Sequence, residues 1–142
     1  MFACTFFGHK TAPDELYQVI YEEIERLITD CSVTKFFVGN NGNFDRMAAK
    51  ALFELKKEYP DIDFAVVLAY LPKANEKEMA NSIYPEGMES VPQRFAISYR
   101  NKWMLQQSDF VVSFVKHNLG GAVQFKKLAE RQGKTIIELS AK

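Results

Sequence analysis

Short, nearly continuous apolar runs alternate along the chain with longer stretches in which apolar residues recur every third or fourth position. The first pattern is that of strands covered on both faces, and the second is that of amphipathic helices. Their regular alternation, with brief turn-rich joints, predicts βαβ units and a mainly parallel sheet.

Ala3 to Phe7 forms the first expected strand, ended by Gly8. Thr11 offers an N-cap and Pro13 suits a first helical turn, after which Leu16, Val19, Ile20, Ile24, Leu27 and Ile28 predict a helix to about Asp30. Lys35 to Val38 is the second strand, and Gly39 to Asp45 the loop into a helix with inner face Ala48, Ala51, Leu52 and Leu55, ending before Pro60. Asp63 to Ala69 supplies the third strand. Gln93 to Gln107 reads as a helix, Phe110 to Val115 as the fourth strand, Ala122 to Gln132 as a last helix stopped at Gly133, and Thr135 to Leu139 as the fifth strand.

The expected architecture is therefore a three-layer, Rossmann-like, doubly wound α/β domain spanning residues 1–142, its five-stranded sheet ordered 3-2-1-4-5. Only Lys73 to Pro92 breaks the pattern, at Pro85 and Gly87. A joint of that length reads either as a lid or as a surface excursion with one short helix near Glu76 to Asn81.

At 142 residues, 47% hydrophobic and 13% aromatic, the chain has material for one well-filled core. No basic leader and no apolar run of membrane-spanning length occurs, so a cytoplasmic protein with no membrane partner is expected. Eighteen basic residues balance eighteen acidic ones, which argues against nucleic acid as a partner. Arg94, Arg100, Lys102, Lys116, Lys126 and Lys127 could form a local basic cluster but read more simply as solvated surface. Cys4 and Cys31 are too sparse for a disulfide framework, and neither His9 nor His117 has a second ligand at zinc-like spacing, so no metal is expected.

In open parallel sheets, ligands lie beyond the carboxyl ends of the strands, where the winding reverses. That rule selects Gly8-His9-Lys10, then Gly39 to Asp45, then Lys116 to Gly121. Gly120-Gly121 precedes a helix, and two missing Cβ atoms would let backbone N–H groups approach a phosphate, although such a pair also makes an ordinary turn. The second loop, with Gly39 and Gly42, carries Asp45 near its helix start, where a carboxylate repels an anion. Asn40, Asn41 and Asp45 there suit sugar or base contacts, unless Asp45 or Asn43 is merely the N-cap. Arg100 has Ala96, Ile97, Trp103 and Met104 as helical neighbours, so it faces inward and needs an anion. That anion is either ligand phosphate or a structural carboxylate such as Asp109 or a glutamate.

These segments together resemble the SLOG superfamily, the Rossmann-like group that includes the LONELY GUY phosphoribohydrolases, lysine-decarboxylase-like proteins and a DNA-processing protein. The likeness rests on Phe7-Gly8-His9-Lys10, on Gly39-Asn40-Asn41-Gly42-Asn43-Phe44-Asp45, and on Arg100-Asn101-Lys102-Trp103-Met104 leading through Ser108-Asp109 into Gly120-Gly121. It is nearest to a small single-domain branch of unassigned function, and it implies the fold, a nucleotide-like ligand and pairing of two copies. In the phosphoribohydrolases, glutamates beyond the glycine loop act with the helix arginine, which Arg100 matches. Here Ala122-Val123-Gln124-Phe125-Lys126-Lys127 follows instead, with no carboxylate before Glu130, so the resemblance implies a ligand class rather than a reaction.

Three functions are thereby expected to compete. The first is binding or sensing of a nucleotide-derived phosphorylated ligand by Gly8, His9, Lys10, Gly39, Asn40, Asn41, Gly42, Asp45, Arg100, Gly120 and Gly121. The second is N-glycosidic hydrolysis of a nucleotide, with Arg100 stabilising charge and Asp45, Glu86 or His117 as acid or base. The third is a protein-interaction domain with a vestigial pocket.

Overall fold

The computed structural model describes residues 2–70, 82–115 and 121–140, with the backbone alone at 121–123. In chain order the elements are β1 (Phe2–Gly8), α1 (Leu16–Cys31), β2 (Val33–Val38), α2 (Asn43–Glu58), β3 (Asp63–Val67), β4 (Ser82–Ile83), α3 (Ala96–Gln106), β5 (Phe110–Phe114), α4 (Gly121–Arg131) and β6 (Thr135–Glu138). Two short 3₁₀ turns, Met88–Ser90 and Gln93–Phe95, precede α3.

All strand pairs are parallel, and the sheet order is β4-β3-β2-β1-β5-β6. The sheet thus has six strands where five were expected, and its order differs through the short β4, which adds to the edge of β3 by pairing Ser82 with Val66 and Ile83 with Val67. Two residues carry no readable alternation, so only the open edge of β3 defines this strand.

Because side chains alternate along a strand, each strand feeds two cores. Cys4 and Phe6 of β1, Phe36 and Val38 of β2, Phe64 and Val66 of β3, and Val112 and Phe114 of β5 pack against α1 and α2. Phe7, Phe37, Ala65, Val67 and Val111 point the other way, where Trp103, Met104 and Leu105 of α3 and Phe125 and Ala129 of α4 cover them. In α2 the inner stripe is Phe44, Met47, Ala48, Ala51, Leu52 and Leu55, and its two alanines let the helix lie close on the sheet.

The first helix begins at Leu16 and not at the Thr11–Pro13 cap. Asp14 and Glu15 form a turn instead, with Leu16 N–H donating to Pro13 O at 3.0 Å and Tyr17 N–H to Asp14 O at 3.1 Å. The cause is tertiary. Asn43 Nδ2 donates to Ala12 O at 2.7 Å and to Asp14 Oδ1 at 2.8 Å, so the segment is tied to the start of α2 before it can coil. The expected helix at Glu76 to Asn81 lies outside the described residues. No described helix is long and apolar enough to cross a membrane.

Candidate functional site

The winding reverses between β1 and β5, and a cleft of about 460 Å³ opens there at the carboxyl ends of the strands. Its floor is apolar, made by Phe7, Ile97 and Phe125, with the rings of Phe7 and Phe125 stacked at 5.4 Å. Its walls carry His9, Lys10, Asn41, Asp45, Arg94, Ser98, Arg100, Asn101 and Gln124.

Close packing fixes the β1 loop on the first turn of α2. A Cβ at Gly8 would sit 2.2 Å from the Phe44 ring, and Gly42, at φ 110°, lies against the Lys10 backbone. Asn43 N–H donates to Lys10 O at 2.8 Å. His9 and Lys10 are therefore held at the cleft by contacts to α2 that only glycine permits at positions 8 and 42.

Arg100 belongs to the inner stripe of α3, between Ala96 and Met104, and is only 2% exposed. Its Nε donates to Asn101 Oδ1 at 2.9 Å, and its Nη1 donates to Asn40 Oδ1 at 3.1 Å and to Val67 O at 3.2 Å. Nη2 donates to none of the described residues, and Arg100 lines the cleft. One side chain thus ties α3 to the β2–α2 loop and to the end of β3 while keeping donors for an occupant.

Asp45 supplies the buried counter-charge. Its Oδ2 accepts the Asn41 N–H at 2.9 Å. A Cβ on Gly39 would lie 2.8 Å from that same oxygen and 2.9 Å from Arg100 Cζ, so the missing side chain is the space that lets carboxylate and guanidinium approach. Burial pushes the Asp45 carboxyl up from 3.8 to about 6, against the opposing pull of the Asn41 N–H and the Arg100 charge. Burial likewise lowers the Arg100 pKa, with the Asp45 and Tyr70 charges opposing.

The sequence-derived residues thus divide. Gly8, His9, Lys10, Asn41, Asp45 and Arg100 come together in the cleft. Gly39, Asn40 and Gly42 instead line a separate cavity of about 230 Å³, with Asp45 as the partition between the two. Glu86 lies away from the cleft, in the turn before Met88, where its carbonyl accepts from Tyr99 OH at 3.3 Å. His117 and Gly120 fall outside the described residues, while Gly121 opens α4. The carboxyl group whose charge acts on Arg100 is that of Asp45, whereas Asp109 Oδ2 accepts the Ala3 N–H at 3.0 Å. Neither Asp45 nor Asn43 caps α2, whose N-cap is Gly42. Arg94, Ser98, Asn101 and Gln124 are new to the site, and the steps of four and three residues from Arg94 to Ser98 to Asn101 were the signal that could have found the first three.

A second concavity, about 730 Å³, runs on from the cleft between α3 and α4 and shares Ser98, Gln124 and Phe125 with it. Lys102, Lys127, Leu128, Glu130 and Arg131 complete its lining.

Fold and cleft together define a Rossmann-like α/β protein with a ligand-sized site at the topological switch point. Its structure is similar to that of DNA processing protein A (DprA) from Streptococcus pneumoniae, with a TM-score of 0.70, 14% sequence identity, and coverage of 99% of this chain and 50% of that one. The chain spans half the length of that protein. The likeness supports a Rossmann-like α/β fold. No protein-family model matches the sequence. No curated protein matches it either.

The comparison overturns one expectation, that nucleic acid is excluded as a partner, because a fold of this kind occurs in a DNA processing protein. The physical error lay in using a sum. Eighteen charges of each sign can balance over the whole chain while Lys102, Lys127 and Arg131 line one groove with Glu130 as its one carboxylate.

Proposed function

We propose that the cleft binds a nucleotide-derived phosphorylated ligand. The observation that carries this reading is the composition of its walls: an apolar floor, neutral hydrogen-bonding groups from Asn41, Ser98, Asn101 and Gln124, and three cations, Lys10, Arg94 and Arg100, against the single carboxylate of Asp45. A flat apolar base suits the Phe7–Phe125 floor, and the amide and hydroxyl groups suit base edges and ribose. Lys10 and Arg94, both exposed, suit phosphate at the mouth. The start of α4 has no acidic residue in its first turn to compete for that anion.

A second reading, a strand of nucleic acid as the ligand, is favoured by the fold shared with DprA and by the basic groove beside the cleft. The two differ in the number of phosphates engaged.

Thermal shift of the purified chain against nucleosides, nucleoside monophosphates and inorganic phosphate tests the first reading. A monophosphate is expected to raise Tm where the matching nucleoside and phosphate alone raise it less, and Lys10→Ala with Arg94→Ala is expected to remove most of that gain without lowering the Tm of the free chain. Equal responses from wild type and the double variant would overturn the assignment.

A further inference from the structure

The α3–α4 groove is the feature that a single bound phosphate leaves unexplained. It is larger than the cleft, runs out of it past Ser98, Gln124 and Phe125, and places three cations along its walls. Some lysines elsewhere are neutralised by acidic neighbours: Lys56 pairs with Asp63, Lys57 with Glu54 and Lys126 with Glu138. Among the described residues Lys102, Lys127 and Arg131 make no ion pair, and all three are exposed.

Their placement has direction. Lys127 and Arg131 are four residues apart on α4, about one helical turn or roughly 6 Å along its axis. Lys102 faces them from α3 across the groove. Leu128 and Phe125 add an apolar wall along the same path. Cations repeated along a partly apolar channel match a chain of phosphates joined by less polar units.

We infer that this groove is a second anion subsite continuous with the cleft, and that the natural ligand carries phosphates spaced along a chain. This rests on the cleft reading above, because the chain enters the groove from a nucleotide unit seated over Phe7 and Phe125. Two sources share that chemistry, a single strand of nucleic acid and a nucleoside carrying a polyphosphate tail. Ser98 and Gln124 mark the junction, where the ligand leaves the cleft.

The test uses the full chain and four probes: a nucleoside monophosphate, the corresponding tetraphosphate, a dinucleotide and a longer oligothymidylate. Affinities are measured over a range of salt for wild type, for Lys127→Glu with Arg131→Glu, and for Lys102→Glu. Lys50→Glu, an exposed reversal on α2 beyond the opposite face of the sheet, controls for net charge. The groove variants are expected to weaken the chain-like ligands by about tenfold or more and to lower their salt dependence by about one unit per lost contact. They are expected to leave the monophosphate within about twofold, where the surviving cleft contacts set affinity.

Loss confined to oligothymidylate assigns the strand, and loss confined to the tetraphosphate assigns the polyphosphate tail. Chain-like ligands that bind no tighter than the monophosphate, or that ignore the groove variants, overturn the inference and leave the cleft reading standing. Groove-dependent binding of oligothymidylate with no response to any monophosphate removes the cleft reading instead. Silence from all four probes removes both.

Discussion

Against α1 and α2 the sheet presents a continuous apolar surface, and the helices answer with Leu16, Ile20, Ile24, Leu27, Ala51, Leu52 and Leu55, all fully buried. Against α3 and α4 the core is smaller, the inner stripe of α3 is interrupted by Arg100, and the two helices part to leave the basic groove. The same strands make both faces, so the difference lies in the helices. One face concentrates the burial of apolar surface that drives folding, and the other spends part of its area on a buried guanidinium and a buried carboxyl group, whose desolvation offsets much of their mutual attraction. Such a division lets a ligand site be polar without leaving the fold marginal.

The sharpest way to break this contrast is to remove the cation from the polar face. Arg100→Met keeps length and packing but leaves Asp45 without its counter-charge and removes a donor from Asn40 and Val67 O. With a buried and a part-buried acceptor left without their donor, a loss of about 3–5 kcal/mol in urea unfolding is expected, together with the ligand response. A variant as stable as wild type would show the pair to be dispensable. Leu52→Ala, on the other face, is expected to cost about 3 kcal/mol through an unfilled cavity while the folded fraction binds ligand as wild type does. Altered affinity per folded molecule would mean that the faces are coupled.

The smallest effect concerns Asp45. Its carboxyl sits near 6 in the folded chain and near 3.8 unfolded, so the folded state holds that proton more tightly. The stability it contributes is full below about pH 4 and is lost as pH rises through about 6, an amount on the order of 2 kcal/mol. The difference in unfolding free energy between wild type and Asp45→Asn should therefore fall from pH 4 to pH 7. A flat or rising difference would contradict the assignment.

Local spacing made much of this legible. The inward position of Arg100 followed from Ala96, Ile97, Trp103 and Met104, and the strand runs announced a parallel sheet because burial on both faces leaves continuous apolar sequence. What escaped was tertiary. Asp45 was recognised as a cleft residue but not as the partner of Arg100, since no local pattern links α2 to α3 and the glycine that lets them approach is distant from one of them. Asn43 looked like a cap, yet its amide reaches back to Ala12 and Asp14. The two residues of β4 are too few to carry a pattern. Lys102 and Lys127 were named as possible members of a basic cluster but read as solvated surface, because no local pattern places α3 beside α4.

The bond from Arg100 Nη1 to the Val67 carbonyl has a mechanical consequence. The next amide, Leu68 N–H, donates to Ile83 O at 2.7 Å, so the guanidinium is two links from the outermost strand. An occupant that tugged on this side chain would also tension the sheet margin where the chain leaves for residues 71–81. Recognition at the centre of the molecule and the posture of its periphery are in that sense a single lever.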